Sequence, residues 1–63
     1  MTNRLREIRE RRGMSASELT RVSGISRATI WKLEAGVAQA HTTRTMEKLA
    51  QALGVPVNEV FTL

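Results

Sequence analysis

Between residues 15 and 36 the sequence twice opens a helix with a serine and twice closes one with a glycine, and this double bracket limits the fold more than any other feature. Ser15-Ala16-Ser17-Glu18 has the form of a capping box, in which the Ser15 hydroxyl accepts from the Glu18 amide and the Glu18 carboxylate reaches back to the Ser15 amide. The helix it starts is expected to turn Leu19 and Val22 inward and to stop near Ser23-Gly24. Ser26 then caps a second short helix, with Ile30 and Leu33 facing inward, which ends at Ala35-Gly36. Gly24 stands where the chain must reverse sharply and where a side chain is expected to crowd the partner helix. Ile25 packs back into the angle between the helices, so that Leu19, Val22, Ile25, Ile30 and Leu33 hold that angle fixed.

Helical spacing continues on both sides. Leu5 and Ile8, three apart, predict a first helix over about residues 3–12, capped by Thr2 or Asn3 and ended at Gly13, with Met14 beyond it. A polar loop, Val37-Ala38-Gln39-Ala40-His41, follows Gly36. A fourth helix begins at Thr42 or Thr43 and carries Met46, Leu49, Ala50 and Leu53 as a buried stripe before Gly54 closes it. Pro56 suits the first turn of a brief fifth helix that contains Val57, Val60 and Phe61. Val, Ile and Thr never alternate with polar residues, so no strand is expected. The reading is an all-α, compact five-helix bundle forming a single domain over residues 1–63.

Composition narrows the function. No cysteine is present, which rules out a disulfide framework and a thiolate zinc site, and the single His41 has no arranged carboxylates to share a metal with. A chain of 63 residues has little room for a cleft with its own supporting shell, so an enzyme is not expected, nor a cofactor. Nothing approaches the roughly 18–20 apolar residues that span a bilayer; a soluble, cytoplasmic protein with no membrane role is expected. Ten Lys and Arg stand against six Glu and no Asp, a formal charge of +4 that favours phosphate-bearing partners.

Two short helices joined by a glycine turn form a helix-turn-helix arrangement, able to project its second helix as a unit into a groove about 12 Å wide. Leu5-x-x-Ile8-Arg9, Gly13-Met14-Ser15, Glu18-Leu19, Gly24-Ile25-Ser26-Arg27, Thr29-Ile30, Leu33-Glu34-x-Gly36, Leu49-Ala50-x-x-Leu53-Gly54-Val55 and Val60-Phe61 follow in order along nearly the whole chain. In that combination the sequence resembles the phage-repressor helix-turn-helix family, also called the XRE family, and in particular its stand-alone members. The resemblance implies a lambda-repressor-like five-helix domain that binds a pseudo-palindromic operator in double-stranded DNA as a homodimer and regulates transcription. It also implies an ion pair between Arg9 and Glu34, and it marks a departure at Ala16, where the family often carries Gln.

On the third helix, Arg27, Ala28, Trp31, Lys32 and Ala35 lie away from Ile30 and Leu33. Arg27 suits bidentate recognition of guanine, Ala28 a thymine methyl, and Lys32 a guanine or a phosphate. Backbone contacts are expected from the helix N-termini, at Ser15, Ala16 and Ser17 and at Ser26 and Thr29, where free amides favour an anion; Ser15 and Ser26 are caps first. Trp31 either covers the stem of Arg27 or meets the DNA backbone. Val57, Val60, Phe61 and Leu63 are read as a dimer contact or as ordinary core. The alternative function is a protein-interaction module, an antitoxin or adaptor, that uses Trp31 and the apolar C-terminal residues to hold a protein partner.

Overall fold

The computed structural model describes residues 2–36 and 42–62. The loop read at residues 37–41, with His41, lies outside the described residues, as does Leu63. Five helices follow in order: α1 (Leu5–Arg11), α2 (Ala16–Ser23), α3 (Arg27–Glu34), α4 (Thr43–Leu53) and α5 (Val57–Val60). Three of them begin as their sequences dictate. Ser15 makes both bonds of the capping box with Glu18, at 3.1 Å each. Ser26 accepts from the Thr29 amide at 3.2 Å, and Thr42 accepts from the Thr45 amide at 3.1 Å. Pro56 precedes α5 as its N-cap residue, extended rather than within the first turn.

The two ends depart from the expectation of a strand-free chain. Thr2–Asn3 (β1) and Phe61–Thr62 (β2) pair antiparallel, Thr2 opposite Thr62 and Asn3 opposite Phe61. Phe61 therefore leaves the fifth helix and runs extended, at φ −116° and ψ 117°. The same pairing draws Thr2 and Asn3 away from capping α1. Arg4 takes the N-cap position with no side-chain cap, and its amide donates instead to the Val60 carbonyl at 2.7 Å. Two residues per strand carry too little alternation to register as a pattern, which is why the spacing gave no sign of them.

The core is formed by Leu5, Ile8, Leu19, Ile30, Leu33, Leu49, Ala50, Leu53, Val60 and Phe61, with Met14, Ile25, Met46, Ala52, Val55 and Val57 packed around it. Val60 and Phe61 are buried within one copy of the chain, so these two of the four residues read as a dimer contact serve the fold. Val57 is half-buried against the same cluster. α2 packs chiefly against α4 and α3, α5 against α4, and α1 reaches across to α3.

Val22 does not face inward as its place in the apolar pattern predicts: it is 52% exposed. The inward stripe of α2 is Leu19 and Ser23, four apart, and not Leu19 and Val22. Ser23 earns its place by wiring the turn. Its hydroxyl donates to the Leu19 carbonyl at 2.6 Å and accepts from the Ile25 amide at 3.1 Å, which leaves no orphan polar atom where the chain bends. Gly24 follows at φ +76°, in the left-handed region that side chains rarely adopt. A Cβ built there would meet nothing within 4 Å, so the glycine answers a backbone requirement and the expected crowding is absent.

One buried polar atom among the described residues has no partner, the Thr20 hydroxyl on α2. These two neighbouring hydroxyls should respond oppositely to removal. Ser23→Ala should destabilise the domain by about 1–2 kcal/mol, because it strips the turn of its acceptor and donor. Thr20→Val should be neutral or stabilising, since it replaces an unsatisfied hydroxyl by a methyl of the same shape. Thermal unfolding followed by circular dichroism checks both, with about 4–8 °C in Tm per kcal/mol for a domain of this size.

Candidate nucleic-acid interface

α3 is anchored on one side and open on the other. Ile30 and Leu33 are essentially inaccessible, at 0% and 1% exposure, and face the core. Its first turn is fixed by the Ser26 cap, where the Ser26 hydroxyl also donates to the Thr29 hydroxyl at 2.9 Å. Its last turn is fixed by Glu34. The Arg9 guanidinium donates to both Glu34 carboxylate oxygens, Nε to Oε2 at 2.7 Å and Nη2 to Oε1 at 3.1 Å. The third arm, Nη1, donates to the Met14 carbonyl at 2.8 Å. Both side chains are 12% exposed, and Arg9 is held above its ordinary pKa by the Glu34 hydrogen bond, against the opposing effect of burial. Arg9 is thus engaged with protein on every side of its fork, as a structural ion pair requires.

The Met14 carbonyl is in place because of the turn before it. The Gly13 amide donates to the Glu10 carbonyl at 3.0 Å and the Met14 amide to the Arg9 carbonyl at 3.1 Å, the pair of bonds of a Schellman motif. Arg9 therefore receives a bond at its backbone from the residue to which its own side chain donates. No sequence spacing announced the Met14 carbonyl as a partner. Backbone acceptors carry no residue signature.

The outward side of α3 carries Arg27, Ala28, Trp31, Lys32 and, at its C-cap, Ala35, all exposed. Arg27 and Lys32 form no ion pair among the described residues. The arginines of α1 differ: Arg4 and Arg11 both reach Glu7, at 3.0 and 2.7 Å, and Arg6 reaches Glu10 at 3.4 Å. Glu7 is held below the usual carboxylate range by its hydrogen bond with Arg4. Arg4, Arg6 and Arg11 are held by carboxylates of their own helix, whereas Arg27 and Lys32, like Arg12, Arg21, Arg44 and Lys48, have no acidic partner among the described residues.

Of the residues expected at the phosphates, Ser15, Ser17 and Ser26 are exposed, while Ala16 and Thr29 are half-buried. Ser15 and Ser26 are engaged as caps. The first bonds accepted within α2 and α3 come from the amides of Glu18 and Leu19 and of Thr29 and Ile30. The amides of Ala16 and Ser17, and of Arg27 and Ala28, have no acceptor among the described residues. Each of these helix starts therefore presents donors and the positive end of a dipole.

The sequence matches the family described as "Helix-turn-helix domain" over residues 1–63. The chain belongs to the helix-turn-helix domain family. The match of this helix-turn-helix domain with an uncharacterized HTH-type transcriptional regulator of Bacillus subtilis (strain 168), RghRB, is 44% identical over 52 residues. These residues make up 82% of the domain's sequence but 37% of that regulator, so the helix-turn-helix domain spans little more than a third of the relative's length. No helix among the described residues is long and apolar enough to cross a membrane, and no cluster of three metal-ligating side chains occurs among them.

The Arg9–Glu34 pair predicts an asymmetric mutational response. Arg9→Ala leaves a part-buried carboxylate without its partner and should cost about 2–4 kcal/mol of stability. Arg9→Met with Glu34→Leu should recover most of that loss, because no charge is stranded. Thermal melts of the single and double variants check this. An unchanged melting temperature in Arg9→Ala, with weaker DNA binding, would return Arg9 to the DNA surface.

Proposed function

We propose that this domain is a sequence-specific double-stranded DNA-binding module of an XRE-type transcription regulator, acting without catalysis or cofactor. In this reading α3 lies in the major groove and a homodimer covers a pseudo-palindromic operator. The observation that carries it is the division of α3 into a buried apolar side and an exposed side bearing two unpaired cations. An eight-residue helix is about 12 Å long, comparable to the groove's width.

Arg27, in the first turn of α3, reaches base edges first and suits guanine O6 and N7; Ala28 suits a thymine methyl and Lys32 a guanine or a phosphate. Ser15, Ala16 and Ser17, with Ser26 and Thr29, flank the phosphates at the two helix starts, where the unbonded amides are those of Ala16 and Ser17 and of Arg27 and Ala28, the Ser15 and Thr29 amides being held by Glu18 and Ser26. One copy, with a longest extent of 25 Å among the described residues, reaches one major-groove face, so occupying two faces roughly 34–36 Å apart takes two copies. The regulator named among the relatives lends support to a role in transcription. The reading as an antitoxin or adaptor loses two of its residues, since Val60 and Phe61 are core; among the described residues Trp31 still favours it.

Selection of bound duplexes from a random pool tests the proposal. The recovered sequences should contain two inverted half-sites about 10 base pairs apart, and binding should weaken steeply as salt is raised. Arg27→Ala should relax the preference at one position of each half-site by about 1–3 kcal/mol. Recovery of random sequence by the wild type, or an Arg27→Ala profile identical to it, would sink the assignment.

A further inference from the structure

The exposed side of α3 has an order that its two cations alone do not use. Successive helical residues turn by about 100°, so Arg27 and Lys32 lie about 140° apart around the axis. Trp31, Ala35 and Ala28 fall between them, in that order. All five are exposed, and Trp31 is one of two large apolar side chains exposed among the described residues, at 64%. Two cations thus border a strip that has no charge, no hydroxyl and no amide side chain. The indole N–H is the strip's single side-chain donor.

The bases display one apolar group in the major groove, the 5-methyl of thymine. An indole face and two alanine methyls match that group and cannot read guanine or cytosine by hydrogen-bond pattern. The flanking charges decide the kind of occupant. A protein seated over Trp31 would have to desolvate Arg27 and Lys32, whereas a duplex brings phosphates and guanine acceptors to both edges. We propose that Trp31 is a specificity-determining residue, packing on thymine 5-methyl groups with Ala28 and Ala35 beside it. The preferred half-site then places thymine between the contacts of the two cations. This rests on the reading that α3 enters the major groove.

The test removes one methyl at a time. Duplexes selected by the wild-type domain are remade with deoxyuridine in place of each thymine in turn. Wild-type affinity should fall about fourfold at one or two of these positions, the effect of withdrawing a methyl from an apolar contact. Trp31→Ala should bind the thymine and uracil duplexes equally at those positions and keep the wild-type thermal transition, because the ring is exposed. Emission from Trp31, the sole tryptophan, should move to shorter wavelength on the thymine duplex. The proposal is overturned if uracil changes nothing for the wild type, or weakens Trp31→Ala as much as the wild type. In either case a base preference that shifts in Arg27→Ala leaves groove entry standing. Absence of any base preference in the wild type overturns groove entry and, with it, the role of Trp31.

Discussion

Arg9 and Glu34 join positions 25 residues apart, and the orientation of α3 depends on that junction more than on any other polar contact. Ile30 and Leu33 hold α3 to the core, but apolar contacts alone tolerate rotation and sliding. A guanidinium fork meeting a carboxylate along two parallel bonds does not. Desolvation of both charges offsets much of their attraction, so the pair adds less to net stability than to position. Its third arm on the Met14 carbonyl extends the constraint into the turn between α1 and α2. The start of α2 and the end of α3 are thereby referred to the same side chain.

Charge is sorted as carefully as apolarity. Glu7 and Glu10 face Arg4, Arg6 and Arg11, so part of the charge in the most basic stretch of the chain is offset locally. Arg27 and Lys32 belong to a helix whose only acid, Glu34, is turned inward and engaged. A net charge of +4 therefore does not by itself say which cations are free to meet an anion. What directs an anion is where cations lack partners.

The helices were legible in the sequence because their signals are local. Ser15, Ser26 and Thr42 act within three residues of themselves, and Leu49, Ala50 and Leu53 report one face of one helix. The Arg9–Glu34 pair spans many residues and came through the family pattern, not through spacing. What escaped was set by tertiary partners. Val22 fits the apolar pattern of α2 as well as Ser23 does not, yet the turn needs a hydroxyl inside and α4 leaves Val22 at the rim of an open groove shared with Lys48, Gln51 and Ala52. The pairing of Thr2–Asn3 with Phe61–Thr62 depends on residues at opposite ends of the sequence, which no window contains. Among the candidate site residues, exposure and pairing distinguish Arg27 from Arg9; a bare sequence presents both simply as arginine.

Because β1 lies alongside β2, the first and last described residues are neighbours in space. Such a unit has a single doorway through which its polypeptide enters and leaves. Splicing it into a surface loop of another protein would ask the host to open only by about the width of two strands, without stretching either framework. α3 could then travel intact between unrelated scaffolds, its aim set by its own packing and not by what it is attached to.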